Sequence, residues 1–191
     1  MTALHADALA VLRRWAPPTG EQAALRERYV ALLEARPDAM GRECLPEHLT
    51  ASVFVLDPAH TRVLLTHHAK AHRWFQLGGH AEPGDATLAG VALREGLEES
   101  GLAAGDLVID PVPVALDAHA VPFCSPGSTT HHLDVMYAAV ARVGAVHRVS
   151  DESLDVAWWP TDALPNAGLA PLLALALARR HSSRSSSGAS S

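Results

Sequence analysis

Apolar residues recur at helical spacing through residues 2 to 15, where Leu4, Ala8, Val11, Leu12 and Trp15 form a stripe that Pro17 and Pro18 end. A second amphipathic helix is predicted from Gly20 to about Arg36. Thr19 is its N-cap, Gln22 the capping-box partner three residues on, Leu25, Tyr29, Leu32 and Leu33 its apolar side, and Pro37 its end. After a loop containing Gly41 and Pro46, the period changes from 3.6 to 2. Residues 50–57 and 62–68 read as a hairpin turned through Pro58 and His60. A short strand in 73–85 runs into a loop with three glycines and a proline, and a helix follows from about Ala86 to Ser100, stopped by Gly101. Further strands are predicted at 107–109, 112–119, 132–143 and 155–159, and a last helix over about Leu169 to Arg180.

This order of elements predicts a mixed sheet with helices on both sides. The expected organisation is an N-terminal helical extension over 1–48, one domain over 49–180, and a Ser-rich disordered tail over 181–191. A chain of 191 residues that is 48% hydrophobic can build a real core. A net charge of −6 with scattered Lys and Arg argues against a nucleic-acid polymer as partner. Two cysteines, Cys44 and Cys124, provide no disulfide framework and fit a reducing cytoplasm. No segment reads as a membrane span or an export signal.

The chemistry concentrates between Gly78 and Leu102. At about 100° per residue, Glu95, Glu98 and Glu99 fall within roughly a 100° arc of one helix face. Ala86, Ala89, Leu93 and Leu97 lie on the opposite, core-facing side. A solvated charged face is the common explanation of such a cluster, but three features oppose it. Glu95 and Glu99 repel at i,i+4, which costs a few tenths of a kcal/mol. Glu98 and Glu99 occupy the last turn, where the helix dipole disfavours negative charge by roughly 0.3–1 kcal/mol. Gly96 inside the helix costs about 1 kcal/mol relative to Ala. Arg94, four residues before Glu98, offers the one local relief. A bound cation removes the main objection. Carboxylates are hard oxygen ligands, so Mg²⁺ or Mn²⁺ is expected, and Mg²⁺ typically shares its coordination with substrate phosphates. The glycines at 78, 79 and 84 allow the backbone to approach a ligand closely.

The run Arg94-Glu95-Gly96-Leu97-Glu98-Glu99-Ser100-Gly101-Leu102 resembles the second half of the Nudix box, with Arg94, Glu95, Glu98, Glu99, Gly101 and Leu102 matching in the right spacing. The first half departs from the pattern. Counted from Gly79, the first Glu position holds Asp85, and eight rather than seven residues then precede Arg94. A one-residue insertion accounts for this, with Asp85 as N-cap of the helix and partner of Arg94. Gly96 stands where the family has a hydrophobic residue. Residues 155–165, with the strands at 50–68, resemble the family's flanking elements.

The resemblance implies an α+β fold, a Nudix-like α/β/α sandwich with a mixed β-sheet, here carrying the N-terminal helical extension. It implies Glu95, Glu98 and Glu99 as metal ligands, and Mg²⁺-dependent hydrolysis of a diphosphate linkage in a nucleoside diphosphate derivative or nucleoside triphosphate. Glu98, Glu99 and Arg94 form the catalytic set, and Glu152, in a loop acid position the family often uses, is the candidate general base. Gly79, His80, His119 and His132, with His131, Asp117 and Asp134 nearby, are candidates to line the substrate pocket. For any one of these histidines taken singly, an ordinary surface or strand position is the competing explanation. Trp74, Phe75 and Phe123 are candidates to stack on a base, with core packing the competing explanation. Two alternatives from other classes are a non-catalytic nucleotide-binding regulator of the same fold and a diphosphate isomerase. Isomerases of this fold carry a cysteine before the box, and residues 75–80 have none. The N-terminal helices are expected either to cap the pocket or to form a homodimer contact.

Overall fold

Side chains alternate across the two strands that form the centre of the sheet, and this alternation separates two cores. The computed structural model describes residues 2–125, 128–149 and 153–187. Among them, seven strands form one sheet: β1 (Glu47–Leu56), β2 (Arg62–His68), β3 (Arg73–Phe75), β4 (Leu77–Gly79), β5 (Leu107–Ser125), β6 (Ser128–Ala141) and β7 (Ser153–Pro160). The helices are α1 (Ala3–Arg14), α2 (Gly20–Ala35), α3 (Leu88–Ser100) and α4 (Ala170–Ser187). In β1, Ala51, Val53 and Val55 face a core shared with α1, α2 and α3, whereas Phe54 and Leu56 face a second core closed by Leu173 and Ala176 of α4. In β6, Val135, Tyr137 and Ala139 belong to the first core, Met136 and Ala138 to the second. The layers are therefore helices, mixed sheet, helix, the α/β/α sandwich expected.

The predicted hairpin is only partly a hairpin. β1 meets β2 at Val55↔Leu64 and Leu56↔Val63, but its long partner is β6, parallel to it from Glu47↔His131 to Leu56↔Val140. β2 pairs instead along its length with β7. The one short strand expected in 73–85 is two: β3 continues on β2, and β4 crosses to β1 with Ser52↔Gly78 in register. The two strands predicted at 107–109 and 112–119 are one strand, β5, with its register shifted between Asp110 and Ala115. α4 runs on to Ser187, into the segment expected to be a disordered tail. Serine is a middling helix former, so a helix already packed through Leu173 and Ala176 propagates into it.

The N-terminal helices are integral to the first core. Leu4, Ala8, Leu12, Tyr29 and Leu33 are buried in the same cluster as Val53 and Val91. Thr19 caps α2, accepting from the Gln22 N–H. The Gln22 side chain, however, does not close a capping box. It donates from Nε2 to the Leu116 carbonyl at 2.9 Å and accepts from the Leu116 N–H at 2.6 Å, as a neighbouring strand would.

Candidate functional site

The placement of α3 depends on both of its ends and on one glycine. Thr87, extended at φ −140° and ψ 150°, is its N-cap, with its hydroxyl accepting from the Gly90 N–H. Asp85, the expected cap, is engaged elsewhere: it accepts from the Glu82 N–H at 2.8 Å and pairs with Arg94 at 3.1 Å, as expected for its second role. A carboxylate does serve the helix start, but it comes from α1, where Asp7 accepts from the Leu88 N–H at 2.9 Å. An acid at that position complements both the orphan N–H groups and the helix dipole. At the other end, Gly101 adopts φ 62°, the left-handed C-terminal conformation. Gly96 has a packing reason. A Cβ there would stand 2.8 Å from Val53 Cγ1, so its absence lets α3 lie close on β1.

The acids are distributed differently from the single outward face expected. The buried side of α3 contains Leu88, Val91, Ala92, Gly96 and also Glu99, which is 8% exposed. Glu99 is turned inward because the Gly78 N–H of β4 donates to its Oε2 at 2.8 Å. Glu95 is largely covered and lies against Gly79, where a Cβ would come within 2.7 Å of its carboxylate oxygens. Glu98 is the open one, with 58% of its side chain exposed. Arg94 ties the group together, contacting Glu98 at 2.8 Å, Glu95 at 3.1 Å and Asp85 at 3.1 Å, and donating to the His80 carbonyl at 2.8 Å. Burial works against its charge, but Asp85 and Glu95 outweigh that and hold the guanidinium more firmly protonated than usual. The donor set suits a hard divalent cation: three carboxylates on one helix, one of them held by the Gly78 N–H and another given room by Gly79.

A second group lies on the sheet face shared with Phe54 and Met136. β1 and β6 bring His48 beside His132, and β5 brings His119 beside His132. His80 follows β4, with its Nε2 3.1 Å from Nε2 of His48. Ring centroids are 4.8 Å apart for His80 and His132, 5.0 Å for His48 and His132, and 5.6 Å for His119 and His132. Burial, then Arg42 and His48, hold the His80 pKa down at about 4; burial, then His80 and the other histidines, hold that of His132 at about 3. Burial lowers His48 as well, against its hydrogen bond to the Cys44 carbonyl. At neutral pH these three are uncharged imidazoles. His119 is raised, chiefly by its 2.8 Å contact with Asp117.

Further along the same face, Asp134 is buried. It accepts from the Thr50 hydroxyl at 3.0 Å, the Ser52 hydroxyl at 2.5 Å and Gln76 Nε2 at 3.3 Å, and burial raises its pKa despite them. His80 and His119 thus both meet His132, Gly79 precedes His80 and faces Glu95, and His131 points to the other face of β6. Glu152 lies outside the described residues, as does the side chain of Phe123. Trp74 stacks on His67, meets Trp159 edge-on and packs against the second core, and Phe75, half-buried, meets His68 edge-on. Sequence reading missed His48. Its one signal is a two-residue step to Thr50 and Ser52, and its pairing with β6 is a long-range parallel contact.

Comparison with known proteins supports the architecture. The family model described as NUDIX domain matches residues 46–180. Among solved structures, a C. elegans Ap4A hydrolase is 18% identical with a TM-score of 0.55, covering 70% of this chain and 98% of that one. The MutT protein of Methanosarcina mazei Go1 is 13% identical with a TM-score of 0.54, covering 71% and 96%. An ADP-ribose pyrophosphatase of Streptococcus suis 89-1591 is 19% identical with a TM-score of 0.51, covering 69% and 90%. No curated protein sequence matches. The family match spans more than two thirds of the chain, including α3 and all seven described strands: the chain belongs to the Nudix family of hydrolases.

Proposed function

We propose that this enzyme hydrolyses a diphosphate linkage in a nucleoside diphosphate derivative or nucleoside triphosphate, in the cytoplasm, with Mg²⁺ or Mn²⁺ held by Glu95, Glu98 and Glu99. The observation that carries this reading is the set of acids on α3, with Glu99 fixed by the Gly78 N–H and Glu95 and Glu98 joined through Arg94. When bound, the cation supplies charge neutralisation on the diphosphate oxygens and acidifies water. Arg94 keeps Glu95 and Glu98 oriented, and remains positive beside the charge that accumulates as the linkage breaks. Gly79, His80, His119 and His132 receive the substrate. In the reaction a water oxygen bonds to one phosphorus, the bridging P–O bond breaks, and the bridging oxygen leaves on the other fragment. Glu152 takes the water's proton. The activities for which the C. elegans and S. suis neighbours are named fall within this substrate class.

The test is product release from a panel of nucleoside triphosphates, dinucleoside polyphosphates and ADP-ribose with Mg²⁺ or Mn²⁺. Glu98→Gln and Glu99→Gln are each expected to lower kcat by about 100-fold or more, a barrier increase of ~2.7 kcal/mol. Full activity in either variant would remove that residue from the site. A wild-type protein that binds nucleotides without turning any over would favour the regulator instead.

A further inference from the structure

We propose that His48, His80 and His132 form a second metal site, distinct from the acids of α3, that binds one transition-metal ion of the Zn²⁺ class through three imidazole nitrogens. The ligand nitrogens of these three residues all lie within 4.8 Å of one another, and those of His48 and His80 are 3.1 Å apart. A tetrahedral zinc with Zn–N bonds of ~2.0–2.1 Å holds its ligands about 3.3 Å apart, so small side-chain rotations close the set. The ligands stand on a rigid frame: His48 and His132 are directly paired on parallel strands, and His80 follows the β4 residue that pairs with Ala51.

The tautomer of His48 is also set. Its Nδ1 lies 3.1 Å from the Cys44 carbonyl, which can only accept, so Nδ1 carries the proton and Nε2 presents its lone pair towards His80. A backbone carbonyl orienting a histidine in this way is the usual outer-shell arrangement of a metal ligand. Asp134 lies two residues from His132 on the same face of β6 and is held there by Thr50 and Ser52. Three nitrogens leave a fourth position for water or a substrate oxygen, so His80 and His132 would meet the substrate through the ion. The donor chemistry separates this site from the first: imidazole suits Zn²⁺ and its transition-metal neighbours, whereas the carboxylates of α3 suit Mg²⁺.

Full-length protein stripped with a chelator and then titrated with Co²⁺ and Zn²⁺ in excess Mg²⁺ tests this. One equivalent of Co²⁺ is expected to give the intense visible absorption of a four-coordinate site, and one equivalent of Zn²⁺ to displace it. His80→Gln and His132→Gln should each weaken Co²⁺ binding by at least about 10-fold, and Glu98→Gln should leave it unchanged. Absence of the absorption in the wild-type protein overturns the proposal. So does binding that survives both histidine variants or is lost in Glu98→Gln. His80 and His132 are only partly buried, so they decide the matter even if His48→Gln fails to fold. Failure here leaves the diphosphate hydrolase reading standing, because the readout is absorption and not turnover.

Discussion

Two adjacent glycines in β4 perform different tasks. A Cβ on Gly78 would fall 2.6 Å from the Ser52 Cα and 2.8 Å from the Ala51 carbonyl, so the clash is with backbone. A Cβ on Gly79 would first meet the carboxylate of Glu95, the end of a side chain that can move. Gly78→Ala is therefore expected to cost about 1–3 kcal/mol or more of stability, the range of core overpacking. Gly79→Ala should stay within about 1 kcal/mol of the wild type, yet lose most activity, because Glu95 is displaced. Urea midpoints read beside kcat separate the two, and equal midpoints would contradict the distinction. The sequence showed that this loop needs glycine for close approach, but not that one glycine faces a strand and the other a carboxylate.

At the scale of elements, α2 is joined to the sheet by a side chain acting as a strand. Gln22 satisfies both the N–H and the carbonyl of Leu116 in a buried setting. Gln22→Ala leaves both groups without that partner, at a cost on the order of 2–4 kcal/mol. Thr19→Ala removes only the cap and should cost about 1 kcal/mol. Thermal or chemical denaturation of the two variants is the check, and a Gln22→Ala penalty no larger than that of Thr19→Ala would refute the strand-like role. The helices themselves were legible from their periodicity and prolines. The core-facing side of α3 was legible in part: Ala89, Leu93 and Leu97 do pack against the first core, but Leu88, Val91 and Ala92 lie deeper, and the Gly78 N–H holds Glu99 in with them.

Across the whole molecule, the histidine group links folding to pH. His80 and His132, with folded pKa values of about 4 and about 3 against 6.5 when unfolded, bind fewer protons in the native state. Their contribution is present above pH 6.5 and is lost as pH falls through the folded values, because the unfolded chain takes up protons first. His119 works the other way: its raised pKa stabilises the fold below 6.5, and this is lost as pH rises through the folded value. The two side chains are 43% and 38% exposed, so solvent screens the pair and it counts for little. The midpoint of chelator-treated protein should fall between pH 7 and about pH 5, and His132→Asn should flatten the decline. An unchanged slope in that variant would show that the cluster does not govern it.

The sequence by itself determined the elements with clear periodicity, the acidic helix with Arg94, Glu95, Glu98 and Glu99, and the family, because spacing along a helix fixes which residues share a neighbourhood. The link between Arg94 and Asp85 was legible for the same local reason. Only the tertiary structure decided what depends on long-range register. The parallel pairing of β1 with β6 sets His48 beside His132, and the crossing of β4 to β1 brings in His80. Asp7, far away in sequence, caps the helix that holds the acids. Such contacts rest on which strands become neighbours, and the period-two pattern of a strand specifies its two faces but not its partner.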